Sequence, residues 1–300
     1  MIYLFFIWRF LLNQSDIVNI IIQTINTIFG NLFSSIDNNI YLNLDNLVFV
    51  DSSLISKSMF EKLLGGNGKN GLLYLVDSMI FGLALFYVIR YYYFNIIDTT
   101  VERPGQFFFK LLIFTLLVNS SYFLLEQFLN ILSFLSLSIQ EIGKDIIGHN
   151  IDFSELITTL NKVIVSDSTE SNIFSLDGLI KSFVSVGLVS LLFSYSLRYV
   201  LLQVLLLFSP FSILSLISTS TSWIFKSWFK SLISLFLIQI FIPLILIVIF
   251  SVDNNEKILY VGGIYALMKI NDFIKEMFGG ISFTVFSNVS SMLSGFKKGV

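Results

Sequence analysis

The chain has 300 residues, of which 55% are hydrophobic and 13% are charged, and its mean hydropathy is +0.83. Soluble domains carry roughly 25% charged residues, so this chain is too apolar to form a water-facing globule. A formal net charge of −2 excludes the broad basic face of a stable nucleic-acid binder, and zero cysteines exclude disulfides and thiolate metal sites. We therefore expect an all-α, polytopic membrane protein. Because no pair of carboxylates lies within a span at helical spacing and no Ser/His/Asp set is possible near the bilayer, we expect no enzyme activity, no cofactor and no metal.

The first predicted element is an apolar stretch over residues 2–29, which polar residues interrupt at 13–16. It lacks the basic start and the small-residue cleavage pattern of a secretory signal, so we expect it to be retained. Either a weak first span or an interfacial anchor fits this pattern. Residues 1–70 are interpreted as this N-terminal anchor helix followed by a polar extracytoplasmic segment.

A two-helix transmembrane hairpin is predicted over residues 71–140. The first span runs from Leu72 to Ile97, and a Pro-Gly pair within residues 102–106 indicates a turn. The second span covers residues 107–125, and its helical pattern continues past Glu126. One helix is therefore expected to extend beyond the bilayer.

Residues 141–178 are rich in acidic side chains and are interpreted as a polar extracytoplasmic excursion. Within them, Asp152 and Glu155 have the spacing of a helix N-terminal cap. The short helix predicted after this cap has one apolar face, made of Phe153, Leu156, Ile157, Leu160 and Ile164.

The transmembrane core is predicted over residues 179–280. Residues 179–217 form either one long tilted span that ends near Ser209 and Pro210, or a hairpin that turns at Arg198. No Gly, Pro or Asn lies near Arg198 to make a turn, which favours the single helix. The single helix also leaves the basic loops on one side of the membrane, as the positive-inside rule requires, with a cytoplasmic C-terminus.

Two more spans complete this core. Residues 232–250 form a span in which neighbouring helices must compensate for Pro243. Residues 258–270 form a short span, and an amphipathic pattern typical of an interfacial helix continues to Phe278, where two glycines follow. With a cytoplasmic tail at 281–300, the chain is expected to have five or six transmembrane helices plus short interfacial helices.

A few polar residues lie within or next to the predicted spans, and Arg198 is the least expected. It lies about ten residues, or roughly 15 Å, from Phe208, which is too deep for its side chain to reach water easily. It therefore needs an anion, backbone carbonyls or water; Glu126, Asp77 and a partner subunit are all open as its partner. An offset helix that lets the guanidinium reach the headgroups is the alternative. The residues proposed for assembly or for lining a channel are Asp77, Glu126, Arg198, Gln203, Ser209, Pro210 and Gln239.

The segment at 218–233 interleaves aromatic and basic residues. Such a pattern after a span is typical of an anchor at the cytoplasmic interface, and the anchor residues predicted here are Trp223, Lys226, Trp228 and Lys230. Stacking on a nucleic-acid strand is the alternative, but two lysines provide a small electrostatic footprint.

The order of residues over roughly 180–280 resembles the polytopic channel subunit of type IV secretion and conjugation machines, the TrbL-like family. The matching residues are Arg198, Ser209, Pro210, Trp228 and Lys230; the proline that this family often has near the last helix is Asn271 here. The resemblance implies a channel subunit in the plasma membrane of a bacterium, involved in conjugative DNA transfer. It also implies multimers with other channel subunits, energy from separate ATPases, and only transient contact with the transferred DNA or protein.

Two other functions remain open. A secondary transporter or permease is less favoured, because the two halves of the chain show no matching pair of interrupted helices. The composition alone also allows an accessory subunit of a respiratory membrane complex.

Overall fold

The computed structural model describes residues 44–56, 71–97, 103–165, 176–218, 221–252 and 256–278, with isolated positions among 18–27 and 62–65. The predicted span at 2–29 and the tail at 281–300 lie outside these residues. Within the described ranges the chain is helical and contains no strand. The helices are α1 (Ser53–Ser56), α2 (Leu72–Ile97), α3 (Pro104–Asn119), α4 (Ser121–Ile147), α5 (Phe153–Val165), α6 (Leu176–Leu207), α7 (Ser209–Leu214), α8 (Ser222–Phe250) and α9 (Lys257–Phe278), with a 3₁₀ turn at Ser215–Ile217.

The fold is that of an all-α polytopic membrane protein, as the composition predicts. Among the described residues, four helical stretches are long and apolar enough to cross a membrane: Leu72–Tyr93, Ser121–Ile147, Val186–Leu207 and Ser222–Phe250. Helix α3 is apolar but has only 16 residues. Helix α9 has 22 residues and is not among the four.

The helix predicted to continue from residue 107 past Glu126 is interrupted, so this prediction was wrong. Helix α3 ends at Asn119, Ser120 takes φ −89° and ψ 0°, and α4 begins at Ser121. Short polar side chains at this point bond to backbone carbonyls of the preceding turn: Asn119 Nδ2 donates to Thr115 O and Ser120 Oγ to Leu116 O. Such local bonds compete with a continuous helix.

The two helices on either side of this break belong to different apolar clusters. Helix α3 packs with α2, α7 and the 3₁₀ turn around residues such as Val76, Tyr87 and Phe107, and the rings of Tyr87 and Phe107 stack at 3.7 Å. Helix α4 instead packs on α8 and belongs to the main core, which also contains residues of α5, α6 and α9. The separation of the two clusters explains why the chain changes course at Ser120.

Helix α6 is a single continuous helix, which confirms the one-span prediction over the hairpin at Arg198. It runs antiparallel to α8, because Trp228 bonds to Leu205 near one end and Arg198 bonds to Leu235 further along. Helix α4 runs parallel to α8, because Phe128 contacts Phe236 edge-to-face and Ser136, further along α4, bonds to Gln239, further along α8.

The capped helix predicted after Asp152 is present as α5. Its Glu155 N–H donates to Asp152 Oδ1 at 2.7 Å. Its predicted apolar face is buried at Phe153, Leu156, Ile157 and Leu160, whereas the side chain of Ile164 lies outside the described set. This face belongs to the main core, so α5 packs on the bundle although its surroundings in the sequence are acidic.

Helix α9 is one helix from Lys257 to Phe278, so the helix of the predicted short span at 258–270 continues through Phe278. The two glycines expected to end it lie outside the described residues. Its second half stays packed on the bundle: Ile270 and Ile274 are buried, and Phe273 contacts Phe241 of α8 with ring centroids 6.3 Å apart. Helix α8 therefore covers part of this apolar face, while Phe273, Met277 and Phe278 stay exposed.

Candidate functional site

The most unusual feature of the bundle is a stretch of non-span chain inside it, residues 44–56, called here the inner segment. Its side chains Leu44, Val48, Val50 and Leu54 are all buried in the main core. Sequence analysis assigned these residues to a polar segment outside the membrane. Alternation of buried and exposed positions, with Asp51 and Ser53 exposed, explains how a polar sequence still supplies a core.

The backbone of the inner segment is broken in the middle. Residues 44–48 are helical, α1 begins at Ser53, and the residues between them are not helical. A helix end leaves carbonyl groups without intrahelical partners, and a buried carbonyl without a partner is costly. The carbonyls of Val48 and Val50 are the groups that need partners here.

Arg198 of α6 satisfies the first of these carbonyls. Its Nη1 donates to Val48 O at 3.0 Å, while Nε and Nη2 both donate to Leu235 O of α8 at 3.0 and 2.9 Å. The side chain is 2% exposed. Of the partners that remained open for Arg198, backbone carbonyls are the ones found, and Glu126 and Asp77 are not its partners. The planar, forked guanidinium suits this task because it can donate in several directions at once.

Gln239 of α8 satisfies the second carbonyl. Its Nε2 donates to Val50 O at 2.8 Å, and the residue is 1% exposed. We refer to Arg198 and Gln239 together as the clamp, since both hold the inner segment by its backbone.

The backbone of Gln239 is itself stabilised by a neighbouring helix. Pro243 has no N–H, so the carbonyl four residues earlier, that of Gln239, loses its intrahelical bond. Ser136 Oγ of α4 donates to this carbonyl at 3.2 Å. This confirms the prediction that a neighbouring helix compensates for the proline in α8.

The clamp lies deep along α8. Over residues 235–250 of this helix Gln239 is the single polar residue, and Arg198 bonds to Leu235 at the start of that stretch. Irregular backbone at such depth is tolerated only where protein or water satisfies it. Arg198 and Gln239 perform this role for the inner segment.

A second contact fixes the inner segment at its N-terminal side. Asp45 Oδ1 accepts the Phe153 N–H at 2.9 Å, which joins the segment to the first turn of α5. The pKa of this carboxyl is raised to about 6, mainly by burial and also by the nearby Asp152 carboxylate, while hydrogen bonds from the Phe153 and Ser154 backbone lower it. Attachment of the segment to α5 therefore involves a carboxyl with a raised pKa.

The junction between α6 and α8 contains three more residues singled out from the sequence. Trp228 is 7% exposed, and its Nε1 donates to Leu205 O in the last turn of α6 at 2.8 Å. Ser209 and Pro210 start α7 and are both buried; Ser209 Oγ has no hydrogen-bond partner among the described atoms. Trp228, predicted as an interface anchor, thus donates a hydrogen bond to the end of α6 inside the protein. The other three predicted anchors, Trp223, Lys226 and Lys230, are exposed.

The remaining predicted residues lie apart from the clamp. Asp77 is exposed on α2 and accepts a bond from Asn119 Nδ2 at 3.4 Å. Glu126 and Gln203 are half-buried on α4 and α6. Of the proposed assembly and lining residues, the structure therefore brings together only Arg198 and Gln239. Ser209 and Pro210 follow the C-terminal end of α6, the helix that contains Arg198.

Sequence reasoning missed the other half of this site. Val48 and Val50 contribute carbonyls, which leave no side-chain signature, and Ser136 is one serine among many. One usable signal existed: the spacing of Gln239 and Pro243 identifies a carbonyl that must find a donor on another helix.

A comparison with protein-family models, curated proteins and solved structures found no match to this chain. The site is therefore interpreted from its own geometry. Among the described residues, no group of three or more His, Cys, Asp or Glu side chains could hold a metal ion. The clamp holds backbone in place through its donor groups, while Gln239 Oε1 is buried without a hydrogen-bond partner among the described atoms.

Proposed function

We propose that the chain is a non-catalytic subunit of a type IV secretion or conjugation machine, embedded in the plasma membrane of a bacterium with its C-terminus in the cytoplasm. It assembles there with other channel subunits, while separate ATPases supply the energy. Transferred DNA or protein contacts it only in passing.

One observation carries the proposal. Of the five residues on which the family resemblance rests, Arg198 and Trp228 form bonds between α6 and α8, and Ser209 and Pro210 are buried at the turn between these helices. Residues that resemble a family pattern thus have a common structural task in the hairpin formed by α6 and α8.

The use of polar groups inside the bundle supports a scaffold role. In transporters, buried polar groups face a substrate or ion path. Here the deepest ones, Arg198 and Gln239, bind the chain's own backbone and close the bundle with the inner segment. A cargo would then pass between subunits rather than through one of them.

The test is a transfer assay in donor cells that carry the complete secretion gene set with this chain deleted. We expect transfer of a marked plasmid to fall to background and to return with the wild-type chain. Arg198→Leu is expected to restore transfer poorly, while Arg103→Leu, which removes an exposed arginine next to α3, serves as the matched control. Undiminished transfer from the deletion strain would refute the proposal.

A secondary transporter is the second candidate, and one observation favours it. The inner segment is a helix interrupted at depth, over residues 49–52, and transporters build midplane sites from such broken helices. Ion-coupled uptake by the purified monomer in liposomes would support this function over the first.

A further inference from the structure

Helix α8 is longer than the hydrocarbon layer that it crosses. Its 29 residues measure about 43 Å at about 1.5 Å per residue, against about 30 Å of hydrocarbon. About nine residues therefore extend beyond the layer. The helix is apolar up to Phe250 at its C-terminal end, so the extending residues are the mixed polar and aromatic ones at its start, 222–230. This places the start of α8 among the lipid headgroups.

One side of this start is exposed, and every side chain on it can donate a hydrogen bond. Trp223, Lys226, Ser227 and Lys230 follow one another at i, i+3, i+4 and i+7, which puts them on one face of the helix, and all four are exposed. Trp228 is buried on the other side. We call these four exposed residues the donor face.

The two lysines of the donor face have no acidic neighbour to neutralise them. Lys226 and Lys230 are the only charged residues in the sequence from 199 to 252, which includes the end of α6, α7, the 3₁₀ turn and α8. These elements contact one another at this end of the bundle. In the part of the chain that the structure describes, neither lysine forms an ion pair, whereas Lys269 of α9 pairs with Asp272.

The N-terminus of α8 adds to the positive potential of the donor face. The first N–H groups of a helix have no intrahelical acceptor, and the positive end of the helix dipole lies there. Thr221 occupies the N-cap position but makes no side-chain cap bond, because its hydroxyl donates to Ser215 O at 2.7 Å instead. Helix amides and two ammonium groups thus lie within about two turns of each other, and both kinds of group bind phosphate.

We propose that the donor face binds the phosphate of an anionic phospholipid, such as phosphatidylglycerol. Its position in the headgroup layer selects a lipid as the source of the phosphate, and a zwitterionic lipid would bring a second cation against the two lysines. This is more specific than an interface anchor, which any lipid would satisfy. The inference goes beyond the proposed function and applies to a secretion subunit and a transporter alike.

Quenching of Trp223 fluorescence by brominated lipids tests this proposal. The full chain carries Trp8→Phe, so that only Trp223 and the buried Trp228 remain as tryptophans. It is reconstituted into mixtures of phosphatidylcholine and phosphatidylglycerol in which each lipid in turn carries the bromine. The same measurement with Trp223→Phe added gives the contribution of Trp228.

We expect phosphatidylglycerol to be preferred near Trp223 by at least about fivefold, because each lysine close to anionic lipid contributes about that factor. Lys226→Gln combined with Lys230→Gln should remove the preference. Lys144→Gln is the matched control, since Lys144 is exposed in the last turn of α4, at the opposite end of the bundle. Raising the salt concentration from about 0.05 M to about 0.5 M should weaken the preference without any substitution.

Equal quenching by the two lipids, or a preference that the double variant retains, would overturn the proposal. Quenching of Trp223 by a single-stranded DNA oligonucleotide in the absence of any lipid preference would also overturn it, and would assign the donor face to nucleic acid. None of these results depends on plasmid transfer, so a failure of the proposed function remains distinguishable from a failure of the lipid site.

Discussion

Nη1 of Arg198 lies 3.0 Å from the carbonyl oxygen of Val48, 150 positions earlier in the chain. Through this bond a charged side chain in an apolar helix stabilises a piece of backbone that has no helical partner of its own. No carboxylate among the described residues neutralises the charge, so the guanidinium depends on its bonds to carbonyl oxygens alone.

The first prediction concerns the balance between this buried charge and its bonds. Desolvating an ion costs several kcal/mol, and hydrogen bonds to a charged group return about 1.5–3 kcal/mol each. Arg198→Leu removes both but leaves the buried Val48 carbonyl without a donor, so we expect it to lower the free energy of unfolding by about 1–3 kcal/mol.

Arg198→Lys keeps the charge but loses the planar guanidinium, which donates to Leu235 O of α8 and to Val48 O of the inner segment at the same time. We expect it to be the more destabilising change, by about 3–5 kcal/mol. Denaturant unfolding of both variants in detergent gives the order. A larger decrease in the free energy of unfolding for Arg198→Leu than for Arg198→Lys would contradict this interpretation of the clamp.

The second prediction concerns the bond from Ser136 to the carbonyl of Gln239. Ser136→Ala is expected to cost about 0.5–1.5 kcal/mol, because the carbonyl then has no donor. In a Pro243→Ala background the new N–H of residue 243 can supply the helical bond, so the same change should cost almost nothing. A double-mutant cycle measures this coupling. Equal costs in the two backgrounds would show that the proline is not the reason for the bond.

The third prediction compares two neighbouring glycines in α9. A Cβ on Gly263 would overlap the side chain of Ile249 in α8, whereas one on Gly262 would meet nothing within 4 Å. Gly263→Ala is expected to destabilise the chain by about 1–3 kcal/mol through overpacking. Gly262→Ala should be neutral, or stabilising by about 0.5–1 kcal/mol through helix propensity. Similar melting temperatures for both variants would disprove the close contact of α8 and α9.

The fourth prediction follows from the raised pKa of Asp45. Its pKa rises from 3.8 to about 6, so the folded state binds the proton more tightly than the unfolded state does. The protonated Asp45 carboxyl therefore stabilises the folded state fully below about pH 4, and this contribution is lost as the pH rises through about 6. We expect the free energy of unfolding to fall by about 1–3 kcal/mol over this window.

Asp45→Asn tests this prediction, because the amide oxygen can still accept the Phe153 N–H without a charge. The pH dependence of this variant between 4 and 7 should be flatter than that of the wild type. Asp51→Asn, at an exposed position of the same segment, is the control. A wild-type slope retained by the Asp45 variant would assign the pH dependence to another group.

Features that depend on local patterns of residues could be predicted from the sequence. The apolar runs at 72–97 and 232–250, the absence of a turn near Arg198 and the cap at Asp152 each follow from local patterns. The structure has all of them, although the helix that contains the second run begins earlier, at Ser222. The break at Ser120 was missed because its cause is partly non-local: the two helices that it separates join different clusters.

The partner of Arg198 was beyond the reach of sequence for a related reason. A charged residue suggests an opposite charge, and Glu126 and Asp77 were the nearest candidates by type. A carbonyl acceptor has no residue type, and the polar appearance of residues 30–70 concealed the alternation that buries Val48 and Val50. Burial of the inner segment depends on contacts across more than 100 positions, and no local pattern carries that information.

Labelling of a cysteine at position 48 tests the central claim most directly. In the wild-type background we expect Val48→Cys to react with N-ethylmaleimide at least about tenfold more slowly than Lys144→Cys at an exposed position, and to gain reactivity when Arg198→Leu is added. Equal rates at positions 48 and 144 with Arg198 intact would contradict the account, because the inner segment would then lie outside the bundle.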